Sequence, residues 1–245
     1  RFWDQGRPHG AAIATGQGKV RKLIELLNGD LVSAGGDGSL KRWRHGRQRG
    51  PTLQTGQGEI LSLLELSNGQ LVTGSRSGTL RFWQDGVAIG GPIATGQEAI
   101  WTLIQLSNGD LVSGGWDGTL RYWREGQPLG LPVTTGLGGV WSLSQRANGD
   151  LIIGGRDGRM AIWRQGKPVV AGFTTTQGTL WSLLELANGD LVSAGENGTL
   201  RIYYPTAKAV RMACQELKMH PILTNPTTPV GRAAAKTCRR YRGLP

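Results

Sequence analysis

Thiols, histidines and long apolar runs are scarce in this 245-residue chain, and acidic side chains are outnumbered by basic ones. Its 17 Asp and Glu stand against 28 Lys and Arg, a formal charge of +11. The excess is uneven. From Pro205 onward, Lys208, Arg211, Lys218, Arg232, Lys236, Arg239, Arg240 and Arg242 face Glu216 alone, so the preceding 204 residues are nearly balanced. Both cysteines, Cys214 and Cys238, also lie in that tail, leaving the rest of the chain without a thiol. His9, His45 and His220 are isolated, and no Cys/His spacing matches a metal site. A Walker loop, a dinucleotide fingerprint and a G-x-S-x-G elbow are all missing. No apolar run approaches the ~18 residues of a membrane span. These absences point to a chain that is not an enzyme, with no cofactor and no metal. No targeting signal is visible, which favours the cytoplasm but carries little weight in a chain that does not begin with Met.

Glycine, with 40 residues, and tryptophan, with nine, are abundant, and both recur on a fixed period. Asn-Gly returns at Asn28, Asn68, Asn108, Asn148 and Asn188, forty residues apart each time. Ahead of Asn108, Ile100, Thr102, Ile104 and Leu106 alternate with Trp101, Leu103 and Gln105, the period-two pattern of a strand. Asn108-Gly109 predicts a type I′ hairpin turn, which needs positive φ at both central residues. Leu111–Gly115 then reads as a second strand, Asp117-Gly118 as a turn and Thr119–Trp123 as a third strand. Glu125-Gly126 turns into a brief fourth strand near 132–135. Four antiparallel strands in forty residues, repeated, describe propeller blades.

This unit resembles the WD40 family, whose blades end in an Asp-Gly turn and a Leu-Arg-x-Trp strand; the resemblance spans residues 1–204. It implies an all-β propeller of five four-stranded blades, with repeats near 18–57, 58–97, 98–137, 138–177 and 178–204 plus 1–17. The family's blade is braced by a hydrogen-bonded His, Ser/Thr, Asp and Trp set. The matching positions here are Trp43, Trp83, Trp123, Trp163 and Tyr203, with Asp37, Asp117 and Asp157 at the turn. The strand hydroxyls would be Ser33, Thr73, Ser113 and Ser193, with Ile153 as the exception. The family's Gly-His is replaced by Gln17, Gln57, Gln97, Leu137 and Gln177. Gln can still donate and accept, which leaves a buried bridge possible, but Leu137 cannot make one, so the full brace is expected to be lost.

Arg1-Phe2-Trp3 aligns with Lys41-Arg42-Trp43 as a third strand whose first two are missing, which suggests a truncated N-terminus. Residues 11–15 would be a fourth strand able to complete the fifth blade. The array is then either a five-bladed ring with an overhang or part of a longer array. The second is favoured, since seven blades are usual in the family. Beyond residue 204, the tail (205–245) predicts one helix over 206–219 and another over 231–242. Val210, Ala213, Cys214 and Leu217 share one face, and Ala234, Ala235, Cys238 and Tyr241 another. A helical hairpin with Cys214 near Cys238 is one reading; the favoured one is a helix pair docked on the last blade with two reduced, buried thiols, and a disulfide would need an oxidising compartment.

Function is expected where equivalent positions change chemistry between blades. The residue before the turn Asp runs Gly36, Arg76, Trp116, Arg156, Glu196. One early first-strand position runs Arg21, Leu61, Trp101, Trp141, Trp181, and two residues ahead of it come Lys19, Glu59, Ala99, Gly139, Thr179. The resemblance implies that these crowd the face around the central channel. A protein or peptide partner would then meet Arg21, Arg76, Trp101, Trp116, Trp141, Arg156 and Trp181, residue types enriched at binding hot spots. Packing between blades predicts the recurring Trp101, Trp141 and Trp181 equally well. A solvated basic loop is expected at Arg42, Arg44, His45, Arg47 and Arg49. Alternatives to a protein scaffold are a carbohydrate-binding propeller and the sensor part of a larger enzyme or signalling protein. Nucleic-acid binding through the tail is not favoured, and open blade edges would allow a homo-oligomer.

Overall fold

The computed structural model describes residues 2–5, 7–9, 11–204, 212, 214–215 and 228–241. By its internal contacts the chain divides into one unit of residues 1–183 and 194–199 and another of 184–193 and 200–245. A hairpin opens the first unit, β1 (Phe2–Asp4) paired with β2 (Arg7–His9). Blade 1 follows as β3 (Val20–Glu25), β4 (Leu31–Gly35), β5 (Ser39–Arg44), β6 (Arg47–Gln48) and β7 (Leu53–Gln54). Blade 2 is β8 (Ile60–Glu65), β9 (Leu71–Ser75), β10 (Thr79–Gln84) and β11 (Val87–Ala94). Blade 3 is β12 (Ile100–Gln105), β13 (Leu111–Gly115), β14 (Thr119–Arg124), β15 (Gln127–Pro128) and β16 (Val133–Thr134). Blade 4 is β17 (Val140–Gln145), β18 (Leu151–Gly155), β19 (Arg159–Arg164) and β20 (Lys167–Thr174). The fifth repeat contributes β21 (Leu180–Glu185), β22 (Leu191–Gly195) and β23 (Leu200–Tyr203), in that order in one sheet. Each blade is an antiparallel meander, and the first strands of blades 1 to 4 are neighbours in succession.

Two local expectations are corrected. Asn-Gly does not form a type I′ turn: only the Gly has positive φ (80° at Gly29, 90° at Gly109). Leu26 N–H donates to the Asp30 carbonyl and Gly29 N–H to the Leu26 carbonyl, the three-residue loop closed by an αL glycine. Asn28 Oδ1 accepts the Asp30 N–H at 2.9 Å, which fixes that shape from the side chain. The turns with two positive φ values are those after the third strand, such as Glu125 (51°) and Gly126 (78°). Residues 11–15 form no strand. The third strand ahead of them, β1, pairs with β2, and the Thr15 carbonyl instead accepts Lys41 Nζ at 2.6 Å.

The Trp brace is closed in blades 1 to 3, where Gln makes the bridge left open to it. Trp43 Nε1 donates to Ser33 Oγ (2.8 Å), which donates to Gln17 Oε1 (2.5 Å). Gln17 Nε2 reaches Ser39 Oγ (3.1 Å), which donates to Asp37 Oδ1 (2.8 Å). An amide thus spans the place of an imidazole, with one extra hydroxyl filling the gap to the carboxylate. Blade 3 repeats this through Trp123, Ser113, Gln97, Thr119 and Asp117. Blade 2 does so through Trp83, Thr73, Gln57 and Thr79, with Ser75 and Ser77 in place of the carboxylate.

Blade 4 has exchanged the whole set. Leu137 and Ile153 replace the Gln and the hydroxyl, and pack with Trp163 and Ala161 in one core cluster. Asp157 binds Arg159 instead, at 2.6 Å. Trp163 stays buried, but its Nε1 has no hydrogen-bond partner among the described residues. Replacing both partners of a hydrogen bond by apolar groups of similar shape is nearly neutral, so only one orphaned donor is left over.

A second brace was not anticipated from sequence. Arg124 Nε and Nη2 grip Asp110 at 2.7 and 3.0 Å, and Arg164 grips Asp150 at 2.6 and 2.8 Å, tying the first hairpin to the end of the third strand. In blade 1, Arg44 and Arg49 both reach the fully buried Asp30, while their own side chains stay exposed. Blade 2 carries Gln70 and Gln84 at the two positions, so acid and base are absent together. The Arg124 hydrogen bond, opposed by burial, holds the Asp110 carboxyl below its usual range, and Arg164 does the same for Asp150. A lowered folded-state pKa contributes stability that is present above the unfolded value, about 4, and is lost as pH falls through the folded one. An Asp110→Asn/Asp150→Asn chain should therefore be less stable than the parent at pH 7, with the gap closing in acid. Urea unfolding across that pH range would read it, and a gap that widened below pH 4 would refute the pairing.

In the second unit, the helix α1 (Pro229–Tyr241) replaces the expected 231–242. Of the expected 206–219 helix, Met212, Cys214 and Gln215 are helical; Val210, Ala213 and Leu217 lie outside the described residues. Cys214 and Cys238 are joined in a disulfide, not held as thiols, with Cα atoms 5.4 Å apart and both residues buried. That separation lies in the range a disulfide spans, which a sequence separation of 24 could not reveal.

Candidate functional surface

The turn after the second strand is pinned to the lead-in of the first strand in every repeat. Gly36 N–H donates to the Lys19 carbonyl, Arg76 to Glu59, Trp116 to Ala99, Arg156 to Gly139 and Glu196 to Thr179, all at 2.8–2.9 Å. This bond brings together, within each blade, the positions whose chemistry changes most between blades. All of them lie in the first unit.

On blades 3 to 5 they build a cluster of indoles. Trp101 and Trp141 stack with centroids 4.0 Å apart and planes 20° apart. Trp116 tilts against both, at 5.9 and 5.7 Å, and Trp181 meets Trp141 edge-on at 4.5 Å. Trp101, Trp116 and Trp141 are half-buried, whereas Trp181 is 50% exposed. The recurring column therefore both packs between blades and reaches solvent. Gly139 leaves room beneath: a Cβ there would stand 3.1 Å from the Trp116 carbonyl and 3.2 Å from Trp141 Nε1, close enough to press on both. The indole N–H groups of Trp101 and Trp141 are buried without a hydrogen-bond partner among the described residues. An unsatisfied buried donor costs roughly 1–3 kcal/mol, so the cluster is assembled against a local penalty.

Charged groups border the indoles. The Arg156 guanidinium lies 4.3 Å over the Trp116 ring, a cation–π contact. Glu196 accepts Thr179 Oγ1 at 2.8 Å; that bond holds its carboxyl below the ordinary range, aided by nearby Arg156. On blades 1 and 2 the arrangement is ionic. Glu59 Oε1 accepts Arg21 Nε at 2.6 Å, and its Oε2 accepts Arg76 Nη1 at 3.1 Å. Burial pushes the Glu59 carboxyl up, but the two guanidiniums outweigh it and the net shift is downward. Arg21 and Arg76, expected to face a partner, are thus engaged within the chain, yet the Arg76 side chain remains 65% exposed. Leu61, at the same column position as the indoles, is buried and adds nothing to the surface.

Among the described residues no group of three or more His, Cys, Asp and Glu could hold a metal ion, and no helix is long and apolar enough to cross a membrane. Residues 90–124 match the family described as WD domain, G-beta repeat. No curated protein matches the sequence. Among solved structures, the WD40 β-propeller domain of Doa1 is similar at 21% identity and a TM-score of 0.69, over 78% of this chain and 66% of that one. The computationally designed protein Ika8 is similar at 25% identity and a TM-score of 0.60, over 75% of this chain and 57% of that one. The chain thus spans about two thirds or less of these structures' lengths. WD40 propellers are commonly protein-interaction scaffolds and are typically non-catalytic. With a WD40 repeat matched at residues 90–124 and the same unit repeated around it, this chain has the fold of a five-bladed β-propeller, similar to that of WD40 propellers, with a short C-terminal helix.

Proposed function

We propose that this chain is a non-catalytic binding scaffold, and that a protein or peptide partner docks on the surface formed by Trp101, Trp116, Trp141, Trp181 and Arg156, bordered by Arg21 and Arg76. The observation that carries this reading is the half-exposed indole cluster capped by Arg156. Blade geometry alone does not require Trp116, because its equivalents are Gly36, Arg76, Arg156 and Glu196. Aromatic and Arg side chains that already hold fixed positions lose little freedom when a partner covers them. The repeats (1–204) form the binding body in this reading.

The test compares affinity capture by the parent chain with capture by a Trp116→Ala/Arg156→Ala chain. Partners retained by the parent should be lost by the variant, with unfolding changed by less than ~1 kcal/mol, as for surface substitutions. Equal capture would refute the site. A strongly destabilised variant would show that these side chains hold blades together instead.

A further inference from the structure

The three variable columns divide the surface into two halves of different chemistry. Blades 3 to 5 contribute four indoles, with Arg156 balanced by Glu196. Blades 1 and 2 contribute Lys19, Arg21 and Arg76 against Glu59 alone. The cationic half already holds a carboxylate. Glu59 lies between two guanidiniums from adjacent blades, one arginine to each oxygen, which is how those arginines would take an incoming acid. Gly36 leaves that half open, because it carries no side chain where the other blades place Arg76, Trp116, Arg156 and Glu196. Even an added Cβ there would come no closer than 3.7 Å to Glu59 Oε1.

We infer that the partner segment is an extended peptide joining a large apolar or aromatic side chain to an adjacent acidic residue. The apolar group would lie on the Trp116–Trp181 half and the carboxylate over Arg21 and Arg76, beside Gly36. This deepens the proposed function and rests on it. Glu59 then acts as an internal stand-in for the ligand's acid, and sharing Arg76 with it sets the strength of the second contact. A basic segment would meet Lys19, Arg21 and Arg76 with repulsion and would be rejected.

A random-peptide display library selected on the full chain at low salt tests this. Enriched sequences should pair Trp, Phe or Leu with a nearby Asp or Glu. A synthetic peptide from that pool should lose about tenfold in affinity when its acid is replaced by the amide, the size of one charge-assisted contact. Arg76→Gln should erase that discrimination while still binding the amide form, and Glu59→Gln should bind the acidic peptide more tightly than the parent does. Enriched peptides without acids, or acid and amide forms binding equally, would overturn the inference but leave the indole surface standing. Acidic peptides that bind the Trp116→Ala/Arg156→Ala chain undiminished would overturn the surface itself. An empty selection would overturn both.

Discussion

Trp123→Ala should cost about 3–5 kcal/mol, the usual range for truncating a buried Trp. Against a domain stability of ~5–15 kcal/mol, that loss would leave the chain at the margin of folding. The side chain is 1% exposed and sits in a core cluster with Leu66, Val72, Leu80, Ile100 and Leu111, drawn from two adjacent blades. Its loss opens a cavity where β10 and β14 cannot both collapse. It also removes the Ser113 Oγ partner from a hydrogen-bond chain that runs through Gln97 to Asp117. Phe substitution separates the two contributions. Trp123→Phe keeps most of the packing and loses a made hydrogen bond, worth roughly 0.5–1.5 kcal/mol. Trp163→Phe, in the apolar blade, removes a donor that has no partner, and so should cost less than Trp123→Phe by about the same amount. Chemical denaturation of the three variants would measure this. Equal losses for the two Phe variants would refute the hydrogen-bonded brace, and an unchanged midpoint for Trp123→Ala would contradict the blade packing.

Gly118→Ala is the second large effect, and it tests a contact between blades. Gly118 has φ of +77°, and a Cβ on it would collide with the backbone carbonyl of Gly138 at the entry to the next blade. The left-handed conformation alone costs a non-glycine residue roughly 1–2 kcal/mol. The steric conflict adds about 1–3 kcal/mol, because the obstacle is backbone and cannot swing aside. Gly109 is the control, since its φ is +90° but nothing lies within 4 Å of its Cβ position. Gly109→Ala should show the conformational cost alone. Thermal unfolding of the pair at one pH gives the difference, and equal destabilisation would mean that neighbouring blades do not approach as closely as the structure has them.

Repetition made the fold legible. Period-two alternation in 100–105 and the forty-residue spacing of Asn-Gly locate strands and blades without reference to any contact. The turn types were harder to read, because Asn-Gly serves both a two-residue loop and a three-residue one. The choice rests on Leu26 and Asp30 exchanging a backbone bond, which pattern does not encode. The Asp–Arg brace was missed for a similar reason: its members lie fourteen residues apart and look like ordinary surface charges. Their joint absence as Gln70 and Gln84 in blade 2 was the available signal. At the candidate surface, sequence supplied the Trp and Arg positions but not their state. That Trp101 stacks on Trp141 while Arg21 and Arg76 share Glu59 depends on how adjacent blades meet.

Blade 4 shows how such an array can change by descent. Gln, hydroxyl and ring N–H form a circuit in which each member satisfies the next, so losing any one strands its neighbours. Blade 4 has lost two of them, and Leu137 against Ile153 is itself a good apolar contact. Between these two states every single replacement is worse than either end: Leu beside a Ser, or Gln beside an Ile, leaves a polar group dry. The path from one brace to the other therefore crosses a fitness valley, and is crossed most readily when a duplicate blade elsewhere carries the load. A forty-residue unit copied several times in one chain supplies such spares, so a repeat protein can explore core chemistries that would be closed to a fold with only one core.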